Sequence, residues 1–414
     1  MLRKILLFCF VASLLLGQKK SKIPNYIEHN SILGTTSQVE YLTFRIPYNA
    51  LLFTKHKEKY KAEFIFSLEL YKNKKFLKRE INNYEVFSSN YENTNSDDQY
   101  FQDFIQMNLQ PGEYTFNYTL SISKADYSIK LPPFNIKVKE LKKEKVLSPI
   151  IVDDENVNYK NKNIFRLTNY QNSIPFAPYK YNLLVGVIDT SIKQIQVSII
   201  QNGEKILDNQ TVKRLFKKGI SFEKVGNDIF VKTNKDSTNP SYFLISNFSN
   251  QLYEGEASLE IKVNKEKKIF PLKVVWYKKP KVLNNPEYAI KLLSYIENIS
   301  VVKSLLKKDS KNYYKVLFNY WEKKFPGKNK KYNFALAEYY ERADYAIKNF
   351  IPLKGRRGAE TDRGRIYILY GKPSSVDRNY NEKNETIEIW KYKKINKTFI
   401  FKDITGTGKF VLVK

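Results

Sequence analysis

Apolar and polar residues alternate with a period of two along several short stretches near the start of the chain. These stretches are residues 39–46, 60–71, 114–120 and 134–138. Such alternation predicts strands that bury one face. Between two of them, Gln110-Pro111-Gly112-Glu113 is typical of a tight turn, because proline presets φ and glycine accepts a positive φ. We therefore expect a first immunoglobulin-like β-sandwich domain over residues 18–143.

A second β-rich segment follows a short charged linker. Its predicted strands are residues 181–188, 194–200, 205–207, 258–263 and 270–276. The second and third of these flank Asn202-Gly203, the strongest short-range signal for a hairpin. The segment predicts a second immunoglobulin-like sandwich over residues 147–280.

The pattern then changes to a helical period. Asn285 followed by Pro286 is typical of a helix N-terminus. We predict helices from there and over residues 300–308, 310–325 and 333–350. In the last of these, Glu338 and Arg342 stand four residues apart in the favourable acid-first order.

Four strands are predicted beyond these helices, at residues 366–370, 386–392, 398–403 and 409–413. Their connections are too short for parallel crossovers, so we expect a four-stranded antiparallel meander. Helices on one face of that sheet make residues 281–414 an α+β domain. The predicted fold is therefore multidomain and mainly β.

The first seventeen residues have the pattern of a secretory signal peptide. Arg3 and Lys4 precede an uninterrupted apolar run over residues 5–16, and Gly17 follows. The run is shorter than the roughly 20 residues that a membrane-spanning helix needs. We expect cleavage after about Gly17 and export to the periplasm, the outer envelope or the medium. The single cysteine, Cys9, lies in this leader, so the mature chain would lack disulfides and thiol chemistry.

The net charge is strongly positive, with 71 Lys and Arg against 42 Asp and Glu. Lysines dominate and are scattered, whereas nucleic-acid binders gather their charge on one face. A solvated lysine-rich surface is the simplest interpretation, and no nucleic-acid partner is expected. Contact with an anionic polymer or lipid headgroups is the alternative.

The sequence patterns of common catalytic and metal-binding sites are not matched by this sequence. The only histidines, His29 and His56, lie in the first β segment, far from the C-terminal region. Residues 406–409 read Gly-Thr-Gly-Lys but lack the Walker spacing, and they predict a hairpin turn instead. Residues 153–155, Asp-Asp-Glu, lack calcium-loop spacing and predict a solvated loop. We expect no cofactor, no metal and no identified catalytic residue.

One C-terminal stretch combines a charged turn, a predicted strand and a Gly-x-Pro sequence that ends the strand. It runs from Gly358 through Thr361-Asp362-Arg363-Gly364-Arg365 to Tyr370-Gly371-Lys372-Pro373. It resembles the motif that names the GWxTD domain, a bacterial envelope-associated family without an established activity. Ala359 stands where that motif has tryptophan. Further ordered agreement, from Trp276 to the segments around Phe399, extends the resemblance over the last third of the chain.

The resemblance transfers no catalytic residue, so two hypotheses stay open for the motif residues. They form either an ion-pair network that holds helix to sheet or a charged site for an acidic ligand or for acid–base chemistry. The absence of a nearby His or Cys in the sequence favours the network. The candidate residues are Tyr340, Glu341, Arg342, Gly358, Thr361, Asp362, Arg363, Gly364, Arg365, Tyr370, Gly371, Pro373 and Trp390.

The first functional hypothesis is an exported scaffold or interaction protein with envelope protein partners. The alternative is a binder or enzyme for a small acidic ligand. It would use a cluster of Arg342, Asp362, Arg363 and Arg365.

Overall fold

The computed structural model describes residues 26–33, 38–96, 98–122, 127–159, 162–234, 240–327, 331–353, 357–380, 382 and 385–414. The predicted leader over residues 1–17, with Cys9, lies outside these ranges. Among the described residues, no helix is long and apolar enough to cross a membrane.

The described residues form many more strands than helices, which confirms a mainly β chain. The strands are β1 (Tyr26–Leu33), β2 (Gln38–Pro47), β3 (Phe53–His56), β4 (Lys59–Lys72), β5 (Lys75–Ser88), β6 (Tyr100–Met107), β7 (Gly112–Ile122), β8 (Tyr127–Val138), β9 (Ile150–Tyr159), β10 (Lys162–Leu167), β11 (Ile174–Pro175), β12 (Tyr181–Val187), β13 (Gln194–Gln201), β14 (Glu204–Lys217), β15 (Ile220–Val225), β16 (Asp228–Thr233), β17 (Ser241–Ile245), β18 (Gly255–Val263), β19 (Glu266–Val275), β20 (Ser375–Tyr380), β21 (Thr386–Tyr392), β22 (Lys397–Asp403) and β23 (Phe410–Leu412). The helices are α1 (Tyr91–Thr94), α2 (Pro286–Leu292), α3 (Ile299–Leu306), α4 (Tyr313–Lys324), α5 (Phe334–Asn349) and α6 (Asp362–Tyr370).

The chain divides into two compact units. The first contains the described residues up to Leu147 together with residues 156–172 and 218–240. The second contains residues 148–155, 173–217 and the remainder from Ser241 onward.

The first unit contains two antiparallel sheets and, beside them, the antiparallel strands β10, β16 and β15. One has the order β1-β2-β6, and the other has β3, β4, β7 and β8, with β5 paired to β4. Alternate residues of β4 and β7 are buried, as their period-two pattern requires. Phe44 stacks on Phe66 with ring centroids 4.2 Å apart, so side chains of β2 and β4 share one aromatic core.

The β part of the second unit is one continuous run of paired strands, in which β14 joins β17 to β13. β12 pairs with β9 and β17, and all seven β12 residues are buried. β13 pairs with β14 and β18, while β19 pairs with β18 and β11. The predicted Asn202-Gly203 hairpin is confirmed, because Gln201 faces Glu204 and both turn residues have positive φ.

The helices of the second unit begin where their capping residues stand. The Asn285 side chain accepts from the Tyr288 amide at 3.1 Å, and the Asn333 side chain caps α5 in the same way. Trp321 of α4 is buried against the rings of Tyr339 and Tyr340 on α5. The Tyr340 hydroxyl donates to the Ala289 carbonyl at 3.0 Å, which ties α5 to α2.

The C-terminal sheet is a four-stranded antiparallel meander, β20-β21-β22-β23, but its first strand is not the predicted one. Residues 366–370 are helical and belong to α6, so their assignment as a strand is wrong. Thr361 caps this helix and Gly371, with φ +75°, ends it. Because α6 is buried on more than one side, its sequence lacks the helical contrast between apolar and polar positions.

Two predicted loops have different outcomes. Residues 406–409 lie in the connection between the antiparallel strands β22 and β23, which confirms the hairpin turn. Residues 153–155 belong to strand β9, so the prediction of a solvated loop there is wrong. The backbone of Asp153 pairs with Tyr181, and Asp154 accepts from the Asn182 amide at 3.1 Å.

We predict that Gly203→Ala lowers the free energy of unfolding by about 1–2 kcal/mol, the cost of a left-handed conformation for a residue with Cβ. Gly203 has φ +81° in the tight hairpin. Urea unfolding measures the effect. Asn202→Gly is the matched control and should leave stability nearly unchanged, since glycine accepts the same positive φ; equal losses in both variants would contradict this account.

Candidate functional site

The motif turn is walled in by backbone on the side of α5. Residues 358–360 form a single 3₁₀ turn before α6. A Cβ on Gly358 would lie 2.2 Å from the carbonyl oxygen of Ala346, and one on Gly364 would lie 2.1 Å from the carbonyl oxygen of Gly358. No side chain fits these spaces. The two glycines therefore allow the turn, α5 and α6 to approach closely.

Thr361 connects the turn to α6 through its side chain. Its hydroxyl donates to the Gly358 carbonyl at 2.7 Å and accepts from the Gly364 amide at 3.0 Å. It is thus an N-cap residue, which satisfies an amide that the helix leaves free. Asp362 follows in the first turn, where a negative charge is favourable.

Arg363 points into the protein and pairs with a buried carboxylate of the meander. Its Nη1 lies 3.1 Å from Oε2 of Glu388, and its Nη2 donates to the Gly408 carbonyl at 3.3 Å. The side chains of Arg363 and Glu388 are only 11% and 4% exposed. The guanidinium also lies 3.8 Å from the ring centroid of Phe410.

Burial lowers the pKa of Arg363, and the charge of Glu388 opposes that shift. Because arginine stays protonated in proteins, the buried charge must be balanced by its partner. The same carboxylate accepts from Trp390 Nε1 at 3.3 Å and from Arg378, whose side chain is 60% exposed. Three donors thus hold Glu388 in one orientation.

Asp362 and Arg365 lie on the outer side of the same helix end. Asp362 Oδ2 accepts from the Leu412 amide at 2.9 Å, which ties the start of α6 to β23. Arg365 is exposed and reaches Asp362 only at 3.9 Å. Such a surface pair contributes little to stability.

Arg342 binds the opposite end of α6. Its Nη1 donates to the carbonyl oxygens of Leu369 and Ile368 at 3.2 and 3.4 Å, and its Nη2 pairs with Glu338. A cation at a helix C-terminus complements the unsatisfied carbonyls there. The predicted cluster of four charged residues is therefore divided: Arg342 lies at one end of α6, and Asp362, Arg363 and Arg365 lie at the other.

The remaining predicted residues also have structural contacts. Tyr340 is fully buried, and Trp390 lies among Phe350, Tyr367 and Phe401. Glu341 is exposed on α5, and Tyr370 packs on Phe399 and Tyr392. The Gly371 carbonyl accepts from Tyr392 at 2.9 Å, and Pro373 is half-buried just beyond it.

An open groove of about 630 Å³ lies at the C-terminal end of α6. Its lining combines predicted residues with others that sequence reasoning missed. Four lining residues are among the candidate site residues predicted from the sequence: Glu341, Arg342, Tyr370 and Gly371. The other lining residues are not among those candidates: Glu338, Tyr345, Tyr367, Lys372, Ser374, Tyr392, Lys394 and Ile395. The missed residues come from separate elements, and only their tyrosine and lysine content hinted at a binding surface.

The groove has an aromatic wall, and its charged lining consists of Arg342, Lys372 and Lys394 with the carboxylates of Glu338 and Glu341. The rings of Tyr345 and Tyr367 stack with centroids 4.3 Å apart. Burial raises the pKa of Tyr367 and of Tyr392, so both phenols stay neutral donors at physiological pH. Lys372 and Lys394 are exposed. This combination suits a ligand with a negative charge beside a flat or apolar part.

Metal-binding patterns do not occur in the described part of the chain, where no group of three His, Cys, Asp or Glu side chains lies close together. His29 is half-buried in β1, and its Nε2 lies 2.6 Å from Oε2 of Glu40.

Residues 260–412 match the sequence profile of the GWxTD domain. The chain therefore contains a GWxTD domain. No curated protein sequence matches it significantly.

Two solved titin structures have a weak similarity to this chain. A tandem of titin Ig domains has 10% identity and a TM-score of 0.13, covering 61% of this chain and 96% of its own. An I-band fragment of titin has 12% identity and a TM-score of 0.12, and the match covers 61% of this chain and 82% of the titin fragment. Scores this low support no fold argument.

This GWxTD protein has Ala359 at the tryptophan position of the motif, and that alanine is fully buried. Its carbonyl accepts from the Tyr295 hydroxyl at 2.9 Å. The glycine, threonine and aspartate of the motif, by contrast, are present and serve close approach, helix capping and attachment to β23. The backbone functions of the GWxTD turn are therefore retained without the indole.

We predict that Arg363→Met destabilises the second unit by about 3–5 kcal/mol, because it leaves Glu388 buried without its inner partner. Arg378→Met is the matched control, since Arg378 contacts the same carboxylate from the surface; it should cost about 1 kcal/mol or less. Denaturant unfolding measures both. Similar costs for the two variants would show that the inner ion pair has no special role.

We also predict that Gly364→Ala costs about 1–3 kcal/mol, the typical penalty of overpacking, because its Cβ would clash with the Gly358 carbonyl. Arg365→Ala, at the next position of α6, is the control and should change the free energy of unfolding by less than about 0.5 kcal/mol. Calorimetry compares them, and an unchanged melting temperature for Gly364→Ala would contradict the close approach.

Proposed function

We propose that this GWxTD protein is an exported interaction or scaffold protein of the cell envelope. The observation that carries the proposal is the engagement of the motif residues in the fold itself. Arg363 is bound to Glu388, Thr361 caps α6, and Asp362 holds β23. Charged groups that are fixed in this way serve packing rather than a reaction.

The proposed domain layout is two immunoglobulin-like β-sandwiches, residues 18–143 and 147–280, followed by an α+β domain over residues 281–414. The antiparallel pairing of β4 with β5 and β7 supports the first of these. The sequence of helices α2–α6 followed by the β20–β23 meander supports the last. In this layout, the sandwiches act as spacers that present the GWxTD domain.

Export is proposed from the leader-like pattern of residues 1–17 alone. The partner we propose is an envelope protein with an acidic segment, which would bind in the groove at the end of α6. Lys372 and Lys394 supply positive charge at the rim, and the stacked rings of Tyr345 and Tyr367 supply a flat apolar wall. The net charge of +29 favours encounter with acidic partners.

A small acidic ligand is the second candidate for the same groove. Arg342 lines this groove, whereas Asp362, Arg363 and Arg365 do not. Its guanidinium already binds Glu338 and the end of α6, so the lysines would have to supply most of the ligand's counter-charge. That arrangement favours a segment that spans both lysines over a compact ligand.

We predict that Lys372→Glu with Lys394→Glu lowers capture of the partner at least tenfold. A photo-reactive group at the exposed Tyr345 position of the full chain should cross-link to a solubilised envelope protein in a saturable way. Lys262→Glu with Lys273→Glu changes the net charge equally, at exposed positions of β18 and β19, and is the control. Non-saturable capture, or equal loss in both variants, would contradict the proposal; capture of small anions alone would favour the second candidate.

A further inference from the structure

The longest open sheet edge of the first unit belongs to β5. This strand pairs with β4 through most of its length. Among the described residues, none outside β4 hydrogen-bonds to the backbone between Phe76 and Phe87. An edge of this kind offers a row of free amides and carbonyls, which is a template for a further strand.

The opposite edge of the same sheet is protected. β8 contains Pro132 and Pro133, which lack the amide hydrogen that a ladder needs, and its pairing with β7 has a bulge. β5 contains no proline, and its one irregularity lies near its start, at Leu77. Residues 78–88 are therefore available as a regular strand.

The outward face of β5 carries both apolar and charged side chains. Exposure alternates along the strand, and Arg79, Ile81, Asn83, Glu85 and Phe87 lie on the exposed face. Ile81 and Phe87 are 57% and 48% exposed, which is high for large apolar residues. A neighbour on this edge would cover them.

The order of these side chains is self-complementary. If two β5 strands pair antiparallel about a two-fold axis through Asn82, Arg79 of each copy faces Glu85 of the other. Phe87 then comes opposite Leu77, the exposed residue at the irregularity, just outside the regular part of the strand. Opposite charges and apolar pairs across strands both stabilise a sheet.

Other registers lack this match. An axis through Ile81 places Leu77 opposite Glu85, and an axis through Asn83 places Arg79 opposite Phe87. A two-fold axis that passed between two consecutive residues of β5 would place outward-facing side chains of one copy opposite inward-facing side chains of the other. Side chains alternate across the pleat, so such a register does not match the two faces.

We propose that two copies of this chain associate through β5, antiparallel about Asn82, so that their sheets become one continuous sheet. Each interface contains the Arg79–Glu85 pair twice and the Leu77–Phe87 pair twice. Arg79 already binds Glu69 within its own chain, and Glu85 already binds Lys61, so in the dimer the Arg79–Glu85 pair joins two existing ion pairs. This inference goes beyond the proposed envelope function and does not depend on it.

Charge exchange tests the pairing directly. Sedimentation velocity of the full chain at about 0.15 M salt, where screening reduces repulsion between the basic copies, should show a species of twice 48.9 kDa. Arg79→Glu and Glu85→Arg should each be monomeric at concentrations where the wild type is dimeric. Their 1:1 mixture should form dimers again, because each unlike contact then joins opposite charges.

The register has its own test. Asn82→Cys in a Cys9→Ser background should form an intermolecular disulfide on mild oxidation, since facing residues have Cα atoms about 4.5–5.5 Å apart. Asn83→Cys is the control and should not. Lys130→Glu, on the exposed face of β8, should leave the dimer intact.

A wild-type chain that stays monomeric at about 100 μM, a mixture of the two charge variants that fails to associate, or cross-linking through position 83 would each overturn the proposal. The first result would leave the β5 edge to a strand from another protein.

Discussion

The contact between the buried guanidinium of Arg363 and the carboxylate of Glu388 fixes the C-terminal part of the second unit. Two opposite charges removed from water are tolerated only when their geometry and remaining hydrogen bonds are good. Here Trp390 donates to Glu388, the Gly408 carbonyl accepts from Arg363, and Phe410 covers the guanidinium. Arg363 Nε is buried and has no hydrogen-bond partner among the described residues. The pair thereby determines how α6 lies on the meander.

The position of α6 in turn determines what its two ends can do. At its start, Gly358 and Gly364 allow backbone contact that no other residue would permit, and the charged residues there are used to hold the chain. At its end, Arg342 caps the helix and borders the open groove. Of the motif residues, Tyr370 and Gly371 line this groove at the end of α6, whereas Thr361, Asp362 and Arg363 hold the helix start to the rest of the fold.

Local signals predicted much of this fold, and burial explains the main failure. Asn285 and Asn333 mark helix starts, and Asn202-Gly203 marks a hairpin, because each acts through neighbouring backbone. α6 was misassigned since its surroundings bury several sides and remove the helical contrast. The groove could not be predicted, because its residues come from α5, α6, the segment after α6, β21 and the turn after β21, and they meet only in the folded chain.

Native-state hydrogen exchange tests the structural role of the motif most directly. The Gly364 amide donates to Thr361, and the Leu412 amide donates to Asp362. If the motif turn is a fixed part of the fold, both amides should exchange only with the free energy of unfolding of the surrounding core, and so should the amide of the buried Ile368. Exchange of Gly364 and Leu412 through low-energy local opening, with Ile368 still protected, would contradict this account and indicate a mobile, ligand-accessible turn.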